Sequence, residues 1–188
     1  VDTLDKKVIA EFIKYAYEPY YERFGNRVEG FFTDEPQVSR NGIPWSFCFE
    51  EEFKKRYGLE INEHLEELFF SVGDYKDIRI KFWKMVTDMF SEAYFKQIYD
   101  WCSEHGMKLT GHLVNENNLR CQLFSNGACM PHYEYFHIPG MDWLGKDINS
   151  EPMIHQLCSA AAQLDKNVIL SETFAMCGWD VSFEELRW

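Results

Sequence analysis

Val28-Glu29-Gly30-Phe31-Phe32-Thr33-Asp34-Glu35-Pro36 is the stretch whose reading decides the fold. Residues 28–33 are short, mostly apolar and rich in strand-forming side chains, which predicts a buried strand. Pro36 disfavours helix at Glu35 and supplies no backbone donor, so the chain has to turn there. Asp34 and Glu35 therefore stand at the C-terminal mouth of a strand. In α/β proteins that mouth is where ligands bind and chemistry is done. A solvated acidic turn would have the same local sequence. Recurrence of the pattern further along the chain separates the two readings.

Outward from this strand, helical and extended patterns alternate. Residues 4–24 carry Leu4, Val8, Phe12, Ala16 and Tyr20 at helical spacing, with Asp2 or Thr3 as cap and Pro19 as a kink or end. Residues 37–74 are an excursion with two short helices, 47–57 and 62–70. A long helix follows over 75–104, with Ile78, Phe82, Met85, Met89, Ala93 and Trp101 on its buried side. Strands are expected at 107–113, 133–138 and 167–170, the second broken by Pro139-Gly140. A short helix is expected over Leu119–Phe124. Another is capped by Ser150, with Pro152 in its first turn and Ile154, Leu157, Ala161 and Leu164 facing the core. Ser182 and Glu185 make a capping box for a last helix. Four such alternations predict a parallel sheet built from right-handed crossovers.

Each expected strand runs into a polar or acidic cluster: Asp34-Glu35, Asn115-Glu116, Asp142 and Glu172. In a parallel sheet all four clusters share one face, with neighbouring strands about 5 Å apart. Two carboxylates across a cleft can divide proton work, one as acid and one as base or nucleophile. Glu35 and Glu172, on the first and last strands of the series, are the candidate catalytic pair. His112 can bond a sugar hydroxyl or the reacting carboxylate. Asn115 or Glu116 can hold a hydroxyl or a cation. Asp142 belongs to the same binding set. Trp143 and Trp179 lie just past strand ends, where a ring can stack on a sugar face, although Trp is also routine core.

The bulk composition excludes several classes. The chain has 188 residues, 46% of them hydrophobic and 17% aromatic, enough for one domain with a real core and too apolar for disorder. A net charge of -12 repels phosphate backbones, so nucleic acid is not expected as a partner. No apolar run is long enough to span a bilayer. Six cysteines occur without a C-x-x-C pair, and free thiols in a reducing, cytoplasmic setting are expected. Neither a zinc-protease helix signature, a phosphate loop nor a G-x-S-x-G elbow is present. The chain begins at Val1 and ends at Trp188 as a helix starts, which suggests a piece of a longer protein.

Phe32-Thr33-Asp34-Glu35-Pro36 resembles the strand-four motif of (β/α)8-barrel glycoside hydrolases of the large retaining clan, where Asn-Glu-Pro carries the acid/base. In that clan the nucleophile is a Glu ending strand seven, and Glu172 falls on the strand that this count makes the seventh. Together with Gly111-His112-Leu113-Val114-Asn115-Glu116 and Ser171-Glu172-Thr173-Phe174-Ala175, the set is most similar to the alpha-L-rhamnosidase family 106 and its bacterial relatives. Asp34 stands where the retaining clan has Asn, and the rhamnosidase family is inverting and binds calcium. The resemblance implies residues 1–188 as part of a TIM barrel, strands four to seven, cut at both ends and acting on a carbohydrate. The residues themselves require no cofactor. Open sheet edges would then favour self-association. The competing expectations are a metal-dependent barrel lyase or isomerase, and a sugar-binding barrel without activity.

Overall fold

The first strand, β1 (Gly30–Asp34), has two faces with different partners. The computed structural model describes residues 1–146 and 152–187. Alternate residues of a strand point to opposite faces. Phe31 packs against Tyr17 and Trp101, and the Thr33 hydroxyl lies 2.8 Å from that of Tyr94. Phe32 and Asp34 face away from these helices and are exposed. β1 pairs in parallel with β2 (Lys108–His112), which pairs with β3 (Ile138–Trp143), which pairs with β4 (Leu170–Thr173). The sheet order β1-β2-β3-β4 follows the chain, so every connection is a parallel crossover through helix.

Helices α1 (Lys6–Ala16) and α2 (Glu18–Phe24) replace the single expected helix over 4–24. Pro19 sits in the first turn of α2, where it costs no hydrogen bond, and the break falls at Tyr17. The cap of α1 is Asp5, whose carboxylate accepts from Lys7 N at 2.7 Å, rather than Asp2 or Thr3. Tyr20 is exposed, because the break rotates it off the buried stripe. The excursion after β1 holds α3 (Phe49–Tyr57) and α4 (Leu65–Phe69). The long helix runs as α5 (Tyr75–Phe90), a π-helical turn at Ser91–Phe95 and α6 (Lys96–Glu104). Phe82, Met85, Phe90, Phe95, Ile98, Phe136 and Leu109 are fully buried between helices and sheet. After β2 comes α7 (Leu119–Asn126), and α8 (Pro152–Gln163) leads to β4. The expected cap Ser150 lies outside the described residues, and Leu164, expected in the core, is half exposed. Ser182 and Glu185 do cap each other, but around a 3-10 turn, Glu185–Arg187; Trp188 lies outside the described residues. Among the described residues no helix is long and apolar enough to cross a membrane. All six cysteines are free.

Two expected strands are displaced. Residues 133–138 were expected as a strand, yet Met130–Tyr135 is a 3-10 turn begun by Pro131. His132, Tyr133 and Phe136 are buried there without strand pairing. Pro139-Gly140 does not break the strand but lies inside β3. Proline removes a ladder donor. Accordingly β2 pairs with β3 only at Thr110–Ile138 and Gly111–Pro139, while β3 continues beside β4 from Gly140 to Trp143. The last strand starts at Leu170 instead of residue 167, so Glu172 lies within it and pairs with Asp142.

Candidate active site

The C-terminal ends of the strands converge on His112. It closes β2 and is 1% exposed, yet its ring reaches the acids on both flanking sides. Nε2 lies 3.0 Å from Glu172 Oε2 and 3.2 Å from Asp34 Oδ1. Carboxylate oxygens only accept, so Nε2 carries the hydrogen directed at them. Nδ1 lies 3.4 Å from Leu113 O, and the Phe32 ring meets the imidazole edge to face at 5.5 Å. Asp34 and His112 are register partners, as are Asp142 and Glu172. The site is thus built by strand pairing, with one imidazole as its centre.

Glu35 joins the group through its backbone. Its φ is 47°, left-handed, directly before Pro36. A non-glycine residue there stores strain of order 1–3 kcal/mol, a cost most often found at functional positions. Ligating atoms of Glu35, His112 and Asp142 lie within 4.8 Å of one another, and those of Asp34, His112 and Glu172 form a second such trio. Burial pushes the Asp142 carboxyl up, opposed by His112 and reinforced by Glu172 and Asp34. Asp142 Oδ1 is buried and finds no hydrogen-bond partner among the described residues.

The other sequence candidates divide. Asn115 also has a positive φ, 55°, and donates from Nδ2 to Ser125 Oγ at 2.8 Å. It lines a cavity of about 360 Å³ with Gln37, Arg40, Phe69 and Phe124. Glu116 turns inward and is 3% exposed. Its Oε1 accepts from Tyr133 OH at 3.0 Å and its Oε2 from the Asp142 backbone N–H at 3.2 Å. Burial pushes its carboxyl up to about 7, against the pull of these donors. Trp143 is buried at the end of β3, and Trp179 is fully exposed. Tyr133 escaped the sequence reading, since an aromatic in an aromatic run carries no signal that it will meet an acid 17 residues away.

A second buried ionisable group opposes Glu116 in pH response. His132 is fully buried, with Nδ1 2.7 Å from Ser91 Oγ and Nε2 2.9 Å from Asn126 O, and burial pushes it down from 6.5 to about 4. Its stabilising share is complete above pH 6.5 and is lost as pH falls through about 4. For Glu116 the sign reverses: its share is complete below 4.5 and is lost as pH rises through about 7. Each is worth on the order of 3 kcal/mol. Between pH 4.5 and 6.5 the two slopes oppose, so unfolding free energy should change little there. Glu116→Gln should uncover a stability that climbs with pH across that window, measured by urea unfolding. A wild-type slope as steep as the variant's would contradict the assignment.

No protein-family model matches the chain, and no curated protein matches it. Among solved structures it superposes on a rhamnosidase from Novosphingobium sp. PP1Y with a TM-score of 0.76 at 15% sequence identity. The match covers 100% of this chain and 19% of that one, so the chain spans about a fifth of the neighbour's length. At this identity the likeness is one of fold, a mixed α/β arrangement around a parallel four-stranded sheet.

Proposed function

We propose that the chain is part of the (β/α)8-barrel catalytic domain of a glycoside hydrolase, with β1–β4 as strands four to seven, Glu35 as general acid and Glu172 as general base. The observation that carries this reading is the convergence of Asp34 and Glu172 on one buried imidazole, with Glu35 in reach of the same ring. Helices pack against the Phe31 and Thr33 face of the sheet, while the face bearing Phe32, Asp34 and Glu172 is open. An inward barrel face has this character when further strands are still to close it. The edges of β1 and β4 are the places for those strands, or for a second copy to add on.

In the reaction, Glu35 gives its proton to the glycosidic oxygen as the bond to the anomeric carbon breaks. Glu172 takes a proton from water, and the water oxygen bonds to the anomeric carbon of an oxocarbenium-like transition state. His112 holds Glu172 and Asp34 in place through Nε2, so the base cannot swing away as the proton arrives. The exposed Trp179 ring offers a sugar platform. Two carboxylates flank His112 in each trio, Glu35 with Asp142 and Asp34 with Glu172; their oxygens fit calcium, whereas the imidazole nitrogen does not. A bound calcium there would offset repulsion among the acids and draw sugar hydroxyls.

The resemblance of the motifs to the inverting rhamnosidase family and the Asp34 replacement favour an inverting enzyme, whose carboxyls stand about 6.5–9.5 Å apart rather than about 5–5.5 Å. Proton magnetic resonance on the first product from a rhamnoside should therefore show the anomer opposite to the substrate's. A product that keeps the substrate's configuration ends the inverting reading. The carboxylate–imidazole trios favour one second reading, a metal-dependent lyase or isomerase. That reading expects chelation to abolish turnover while every glycoside stays intact.

A further inference from the structure

Glu116 is the acid of the strand-end group that no ligand can touch. It is 3% exposed, and its carboxylate is spent on the protein itself. Tyr133 OH donates to Oε1 at 3.0 Å and the Asp142 backbone N–H to Oε2 at 3.2 Å. The main chain of Glu116 is anchored as well: its carbonyl accepts from Gln122 Nε2 at 2.6 Å, and Gln122 in turn donates to Gln156 Oε1 at 2.8 Å. A side chain held at both ends is a rigid strut.

What the strut replaces is a missing part of the sheet. Pairing between β2 and β3 stops at Gly111–Pro139, because Pro139 has no N–H to continue the ladder. Asp142 stands three residues beyond that last pair, and β3 is tied there to β4 alone by strand pairing. Left so, the β3 end could splay from His112. The Glu116 carboxylate reaches across from the segment after β2 and takes the Asp142 N–H, a side-chain rung where the backbone rung is absent. The carboxyl oxygen can accept that rung in either protonation state, and the buried amide would otherwise be left unpaired. Tyr133, buried under the loop, sets the carboxylate's angle.

We propose that Glu116 is a positioning residue of the strand-end site, acting with Tyr133 to hold Asp142 and the end of β3 beside His112. The functional half of this rests on the active-site reading above; the holding of Asp142 does not. The test compares Glu116→Leu, Glu116→Gln and Tyr133→Phe in the full-length protein. Circular dichroism checks folding, nitrogen–proton spectra read the Asp142 amide, and kcat and KM are measured separately on a 4-nitrophenyl rhamnoside.

Leaving one buried donor without its acceptor corresponds to roughly 10- to 100-fold. Glu116→Leu should speed hydrogen exchange at the Asp142 amide and lower kcat by about that factor, with KM within about twofold. Glu116→Gln, which keeps a carbonyl acceptor, should recover most of both, and Tyr133→Phe should fall between. Should Glu116→Leu fail to fold, the graded order of Gln and Phe carries the same test. A wild-type Asp142 amide in these variants overturns the holding. A disturbed amide with unchanged kcat overturns the positioning role. If the wild type cleaves no glycoside, the active-site reading fails, and the amide alone then decides whether Glu116 holds Asp142.

Discussion

Replacing Glu35 by Gln in the full-length enzyme is expected to lower turnover by about 10²–10⁴-fold while leaving glycoside affinity nearly unchanged. Gln has the same shape and can keep a hydrogen bond, but it has no acidic proton to give. The loss is therefore confined to the step in which the leaving oxygen is protonated, and corresponds to roughly 3–5 kcal/mol in the barrier. Position argues for Glu35 over its neighbour. Asp34 is engaged by His112 Nε2 at 3.2 Å, whereas Glu35, at φ 47° ahead of Pro36, brings its carboxylate within 4.8 Å of His112 and Asp142. An activated leaving group needs little protonation, so the deficit should shrink on an aryl glycoside and be full on an alkyl one. Steady-state kinetics on both substrates measures the contrast. Near-normal turnover of the alkyl glycoside would remove Glu35 from the role of acid.

Gly111→Ala is expected to unfold the sheet rather than tune it. Gly111 has φ +140°, a conformation that L side chains rarely adopt, and it pairs with Thr33 across β1 and β2. A Cβ there would lie 2.1 Å from Thr33 O and 2.8 Å from Thr33 N, both backbone atoms. Flexible side chains could yield; paired backbone cannot without breaking the rungs that place Asp34 next to His112. Strain alone costs on the order of 1–3 kcal/mol, and the overlap adds to it. Against a total stability of roughly 5–15 kcal/mol, the substitution should leave little folded protein at 37 °C. Denaturant midpoints would show it, and a loss under about 1 kcal/mol would mean that the strands do not approach so closely.

The alternation of helix and strand, and the parallel sheet, were legible because amphipathic spacing and β-rich runs are local properties of the chain. So was the turn at Glu35, where Pro36 constrains the preceding residue whatever surrounds it. The third strand was not legible. Tyr133-Glu134-Tyr135-Phe136 has strand-like side chains, but burial of His132, Tyr133 and Phe136 against the π-turned helix holds it as a 3-10 turn, and the strand forms around Pro139-Gly140 instead. Proline marks the loss of a donor, and only the tertiary partner tells whether that donor was needed: on the β2 side it ends the ladder, on the β4 side it does not. The same holds for the acids. Sequence placed Asp34, Glu35, Glu116, Asp142 and Glu172 near strand ends and singled out Glu35 and Glu172 as a pair, but gave no sign that Glu116 faces inward. Burial and register then separated them, turning Glu116 inward to Tyr133 and Asp142 while setting Asp34 and Glu172 around His112. Desolvation and hydrogen-bond direction depend on atoms far apart in the chain, which is why only the folded sheet distinguishes a strut from a reacting carboxylate.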